Sequence, residues 1–228
     1  MIALCALMLV GTGPARAPIQ DKAYLIAYNP PLKKALHYDI ETVVTGPSAA
    51  TLKLAKTVRA TQMDNGIFTV VTTFDSVSFG IPANEQVAQA ERLIKSSVVT
   101  QTINSQGGIV SSDASRSVSQ MLVGGLDAIN AIAFSPTPVK VGDTWRNSID
   151  NSGSKLEVEL KLVGVRNEHG KQVASLKMGT VTSSTAEPEL PLVIDVDLAT
   201  GVLQRLEFAD KTAAGAKGSS IHVLIRLR

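Results

Sequence analysis

Apolar and polar residues alternate along most of this chain, the period that half-buried β-strands impose. Leu156, Val158, Leu160 and Leu162 share one face, and Glu157, Glu159 and Lys161 share the other. One-sided strands of this kind belong to antiparallel sheets with one wet face. The pattern recurs at Tyr38, Ile40, Thr42 and Val44, opposed by Asp39 and Glu41. It recurs at Leu52 and Leu54, continuing to Val58 and Ala60, with Lys53, Thr57 and Arg59 opposite, and again at Phe68, Val70, Thr72 and Phe74. Thr45-Gly46-Pro47-Ser48 and Asp64-Asn65-Gly66 separate these runs, and Asn-Gly between strand patterns signals a hairpin. Residues 35–79 therefore read as a three-stranded meander.

The C-terminal half follows the same grammar. Asn167-Glu168-His169-Gly170 links the Leu156 strand to a strand over Lys171–Thr185. Leu192, Ile194 and Val196 alternate with Asp195 and Asp197, and Ala199-Thr200-Gly201 turns into Val202–Asp210. After a small-residue loop at Ala213–Gly218, Ile221, Val223, Ile225 and Leu227 mark a last strand. Two stretches change period. Ala83–Ser96 carries Val87, Ala90, Leu93 and Ile94 at helical spacing behind Pro82. Ser115–Phe134 carries an apolar stripe wide enough to face a core, interrupted by Gly124-Gly125. Between them, Val98–Ile103 and Gly108–Ser111 read as two short strands.

These elements predict a mainly β (α+β) fold: a curved antiparallel sheet or half-barrel of about nine to ten strands, because long twisted sheets curl. One or two helices cover its concave face, with Ser115–Phe134 as the candidate for that role. Residues 18–228 are expected to form one β-rich domain, since the Pro-containing segment Ser135–Pro138 is too short for a flexible linker. Aromatic residues make up only 4% of the chain, which leaves the core to aliphatic side chains.

The first 17 residues change the picture of where the protein works. Met1–Val10 is an unbroken apolar run, ended by Gly11, Gly13 and Pro14 and followed by Ala15-Arg16-Ala17. That is the layout of a signal peptide, although its basic start is missing. The run is shorter than the ~20 apolar residues a membrane span needs. Export predicts a secreted or periplasmic location. Cys5, the sole cysteine, lies inside this leader behind Leu4, which argues against lipidation there. The exported product then has no disulfide, thiolate metal site or cysteine nucleophile. Net charge is +2 with no basic block, so nucleic acid is not an expected partner.

Candidate chemistry is sparse. His37, His169 and His222 show no metal-ligand spacing, and no nucleophile elbow, phosphate loop or H-E-x-x-H occurs. Ser111-Ser112-Asp113 reads as a cap for the following helix. Asp195 and Asp197 could hold a proton or a hard cation, with Glu207 across the hairpin, but the simpler reading is a solvated outer strand face. A hydrolase would need those carboxylates to cluster with His37 or His222 in one cleft. No catalytic residue, metal or cofactor is therefore assigned, and the protein is expected not to be an enzyme.

Gly142-Asp143-Thr144-Trp145 is the most distinctive local feature and carries the sole tryptophan. A Gly-Asp turn sets the chain direction, and the indole anchors the next strand or forms a ligand platform. Pro138-x-x-x-Gly142-Asp143-x-Trp145 resembles a segment of uncharacterised exported bacterial β-rich families, in which a G-x-[IV] hairpin precedes it and a D-x-x-T-G turn follows. Gly108-Ile109-Val110 and Asp197-Leu198-Ala199-Thr200-Gly201 fit those places. The resemblance spans Leu36 to Phe208, implies export and a β-rich fold, and transfers no catalytic residue. The expected layout is also similar to periplasmic carriers of the lipoprotein-localisation-factor type, in architecture only. The space between sheet and helix is thus the candidate site for a lipid or other apolar small molecule. Trp145, Met121, Leu122, Leu126 and Ile129 are its candidate lining. The rival expectation is a non-catalytic envelope module that binds a protein partner through an edge strand or apolar patch.

Overall fold

The structure is a computed structural model that describes residues 22–46, 49–82, 84–113, 132–151, 154–180, 192–210 and 220–228. The leader, most of the expected helix over Ser115–Phe134, the end of the strand expected to reach Thr185, and the Ala213–Gly218 loop lie outside the described residues.

Eleven antiparallel strands form one open sheet. In chain order they are β1 (Ala35–Thr45), β2 (Ala50–Asp64), β3 (Ile67–Phe79), β4 (Val98–Asn104), β5 (Ile109–Ser112), β6 (Thr144–Asn151), β7 (Ser154–Glu168), β8 (Lys171–Thr180), β9 (Leu192–Asp197), β10 (Leu203–Asp210) and β11 (Ser220–Leu227). The order across the sheet is β5-β4-β3-β2-β1-β11-β10-β9-β8-β7-β6. Two meanders thus meet where the first strand of one, β1, pairs with the last strand of the other, β11, from Tyr38 opposite Leu227 to Thr45 opposite Ser220. The count is close to the expected nine to ten, and the strand that Trp145 begins is β6, at the sheet's far edge.

The turns explain why the register is fixed. Asn65 (φ 49°) with Gly66 (φ 77°), and His169 (φ 50°) with Gly170 (φ 79°), both place two successive residues at positive φ. That backbone matches the right-handed twist of the flanking strands and holds them in tight hairpins. With register fixed, alternation decides burial. Val158, Leu160 and Leu162 of β7, Leu176 of β8, Ile194 of β9 and Ile225 of β11 are fully buried on one face. Each such side chain contributes about 1.5–3 kcal/mol by leaving water.

One α-helix is described, α1 (Glu85–Ser96). Its N-cap is Asn84, two residues after Pro82, with the Asn84 side chain accepting from the Val87 N–H at 2.9 Å. The helix packs on β3 and buries Ile94 completely, while Glu91 accepts a bond from the Phe79 N–H at 3.0 Å. Leu93, expected on the apolar stripe, is 41% exposed. A helix beside one strand of a wide sheet needs only a narrow contact face, and Ile94 supplies it.

Truncating the centre of this core, Leu160→Ala or Leu176→Ala, is expected to lower stability by about 2–5 kcal/mol in urea denaturation. The equivalent change at exposed Val163 on the other face should cost less than about 1 kcal/mol.

Candidate ligand-binding cavity

β4 and β9 are six strand steps apart in the sheet, roughly 29 Å at about 4.8 Å per step if the sheet were flat. Yet Gln101 and Ile103 of β4 and Val196 of β9 line the same cavity of about 120 Å³. The sheet is therefore curled, and the cavity lies on its concave face. Two non-strand segments cross that face. The first is residues 24–30, whose Tyr24 and Ile26 are buried. Its Tyr28 N–H donates to Ser105 O at 2.7 Å and its Asn29 N–H to Thr200 O at 2.8 Å. It thereby ties the β4–β5 hairpin to the β9–β10 turn. The second is residues 132–139, where Ile132, Phe134 and Val139 are buried. The Phe134 N–H donates to Gln106 O at 2.6 Å, and Tyr24 and Val139 exchange backbone bonds.

Both tie points need glycine. A Cβ on Gly107 (φ 85°) would sit 2.8 Å from the Ile132 carbonyl oxygen. A Cβ on Gly201 (φ 62°) would collide with the Ala27 carbonyl. The chain closes over the concave face only because these positions carry no side chain.

The cavity walls are mostly aliphatic and aromatic, including Val58, Val70, Ile132, Phe134 and Val202. Two tyrosines reach it. The Tyr38 hydroxyl donates to Leu203 O at 3.2 Å, and the Tyr28 ring meets Phe68 edge-on at 5.5 Å between centroids. Burial pushes the Tyr28 hydroxyl up to about 12 and raises that of Tyr38 further, with Tyr28 adding to the rise. Among the described lining residues one is charged: Lys56. It lies opposite Tyr38 in the β1–β2 register, so strand alternation puts it on the inner face between Leu54 and Val58. Its ammonium stands 5.7 Å from the centre of the Tyr38 ring. Burial pushes Lys56 down to about 8.

The polar residues singled out by sequence lie elsewhere. Asp195 and Asp197 are buried, at 3% and 6% exposure, rather than on a solvated face. The guanidinium of Arg166 bonds both oxygens of Asp195 at 3.0 Å, and Ser175 donates to it at 2.6 Å. Burial works to raise the Asp195 carboxyl, but the bonds from Arg166 and Ser175 outweigh it and hold the group below its ordinary range. Asp197 instead accepts from the Ala199 and Thr200 N–H groups and shapes the turn. Glu207 pairs with Arg205 and lies 3.2 Å from His222 Nε2. His37 bonds Thr57 at 2.9 Å, away from these carboxylates. Asp195 and Glu207 both lie in the field of Arg205, and Glu207 is the carboxylate that meets His222. No group of three or more His, Cys, Asp or Glu that could hold a metal converges among the described residues.

Trp145 is half-buried against the core, and its indole N–H donates to Ala133 O at 3.0 Å. It therefore steadies the segment that carries Ile132 and Phe134, but it is not among the described lining of the cavity. The Asp143 side chain accepts from the Lys140 N–H at 2.8 Å, which builds the Gly-Asp turn. Met121, Leu122, Leu126 and Ile129 lie outside the described residues. Asp113, expected as part of a helix cap, accepts from the Thr100 N–H at 2.6 Å and fastens the end of β5 to β4. Lys56 was not singled out by sequence. Its signal was a gap in the alternation, a lysine at an inward position between Leu54 and Val58.

No family model matches the chain, and no curated protein sequence matches it. Among solved structures the chain is similar to a domain from Vibrio parahaemolyticus described as an outer membrane lipoprotein-sorting protein. Identity is 10%, the TM-score is 0.25, and 85% of each chain is covered. At that TM-score the likeness adds nothing to what the strands and the cavity themselves indicate. No described helix is long and apolar enough to cross a membrane.

Two acid–base outcomes follow from these environments. Asp195 has a depressed pKa in the fold, so its contribution is complete above the unfolded value of about 3.9 and is lost as pH falls through the folded value. Arg166→Met should therefore destabilise the protein at pH 7 and flatten its acid-unfolding curve below about pH 4. Lys56 titrates near 8 in the fold and near 10.4 when unfolded, so the unfolded chain binds more protons between those values. Stability should rise across that window, and Lys56→Met should abolish the rise while raising the melting temperature at pH 7. Gly201→Ala should lower stability by more than about 1 kcal/mol, read from denaturant midpoints.

Proposed function

We propose that this is an exported, non-catalytic binding protein of the bacterial envelope. It holds a short alkyl segment, or the end of a longer acyl chain, between its curled sheet and the segments that cross it. The observation that carries this reading is the apolar-walled cavity of about 120 Å³ on the concave face. Apolar pockets with a few placed polar groups are the usual form of small-molecule sites. A volume of that size suits a few methylenes rather than a whole lipid. Export rests on the leader-like sequence Met1–Ala17, and the non-catalytic reading on the ion pairs that already engage Asp195, Asp197 and Glu207.

A second reading, an envelope interaction module, draws on the sheet edge. β5 is four residues long, pairs among the described residues only with β4, and leaves Val110 57% exposed, so an extended partner segment could add there.

Titrating 1-hexanol into the purified protein, followed by NMR methyl shifts of Val58, Val70 and Ile132, separates the two. Saturable shifts confined to the cavity are expected, and Val70→Phe, which fills the space, should weaken binding about tenfold or more. Unchanged methyl positions at saturating hexanol would discard the binding reading in favour of the module.

A further inference from the structure

Lys56 is out of place for a residue that only completes a strand. The β1–β2 and β2–β3 registers set it opposite Tyr38 on one side and Phe74 on the other, both buried. Its neighbours along β2 on the same face are Leu54 and Val58. An ammonium held among such groups is costly unless something pairs with it. The nearby titratable residues are committed elsewhere. On β1, Asp39 pairs with Arg228 at 2.5 Å and His37 bonds Thr57 at 2.9 Å. On β3, Asp75 accepts from Thr57 at 2.8 Å. His37 and Asp39 occupy the odd-numbered face of β1, away from Tyr38, and Asp75 bonds to the outward Thr57. The contrast with Asp195 is instructive: that buried charge has its own arginine and serine. Among the described residues, the only recorded partner of the Lys56 side chain is the face of the Tyr38 ring.

We propose that the cavity is a site for an anionic amphiphile, whose alkyl chain fills the apolar space and whose carboxylate or phosphate head pairs with the Lys56 ammonium. This rests on the apolar-ligand reading above and adds the charge of the ligand to it. The chain would run along Val58, Val70, Ile132 and Phe134. The head would meet a cation whose charge no acid among the described residues compensates. Burial lowers Lys56 only to about 8, so at pH 7 the group is still mostly protonated, as anion pairing requires. A neutral lipid would leave that charge buried and unpaired, and an alkyl amine would add a like charge beside it.

The test uses the full chain at pH 7 with hexanoate, hexyl phosphate, 1-hexanol, hexylamine and acetate, each titrated by NMR into wild type, Lys56→Met and Lys56→Arg. Hexanoate or hexyl phosphate should bind at least about tenfold more tightly than hexanol, with hexylamine and acetate weaker than either anion. Lys56→Met should erase the preference for anions while hexanol binds as well or better, and Lys56→Arg should keep the preference. Hexanol and both anions binding equally to wild type would overturn the proposal and leave the apolar-ligand reading intact. So would an anion preference that survives in Lys56→Met, or acetate binding as tightly as hexanoate. Failure of every ligand to bind would overturn both.

Discussion

A sheet of eleven strands with one apolar face can hide that face only by curling around something. This constraint organises the molecule. The fully buried residues Leu160, Leu162, Leu176, Ile194 and Ile225 come from strands spread over half of the sheet, and they belong to one cluster with Leu54 and Phe74 from the other half and Ile94 of α1. Strand pairing lines up the central row of this cluster, from Leu54 through Ile40, Ile225, Leu206, Ile194 and Leu176 to Leu162. Residues 24–30 and 132–139 then cover the hollow, and those segments hold on by backbone bonds to the β4–β5 and β9–β10 turns. Gly107 and Gly201 matter out of proportion to their size, because both stand where one backbone lies against another.

The fold handles the charges of buried Asp195 and half-buried Lys56 in opposite ways. On the outer face, Asp195 is surrounded by donors, and its pair with Arg166 completes a polar network between β7, β8 and β9. Removing one partner there leaves the other stranded, which is why such pairs are costly to break even when they add little net stability. On the inner face, Lys56 sits over a tyrosine ring and otherwise against apolar side chains. The first arrangement is self-sufficient and the second is open-ended. An open-ended charge on the wall of a cavity marks where a ligand can improve on what the protein supplies.

The strands were legible because alternation is a local code. Ile67–Phe79 was predicted with both ends correct, and the Asn65-Gly66 and Gly170 hairpins followed from residues that tolerate positive φ. The helix at Ala83–Ser96 was legible in place but not in orientation, since Leu93 and Ile94 share its spacing and only packing on β3 decides that Ile94 is the buried one. Tyr24, Ile26 and Tyr28 alternate as clearly as many strands do, yet they cross the hollow instead of joining the ladder. Nothing within the segment distinguishes the two outcomes, because both bury every second residue.

The sequence by itself determined which residues face inward on most strands, where the hairpins turn, and that Cys5 is the sole thiol. Those properties depend on neighbours a few positions away. Only the tertiary structure decided that the sheet curls far enough to bring β4 and β9 to one cavity, that Asp195 and Asp197 are buried, and that Lys56 stands with no described acid beside it. The reason is physical: a side chain's environment is set by strands that the chain reaches a hundred residues later, and no local pattern records which charge will arrive there to meet it.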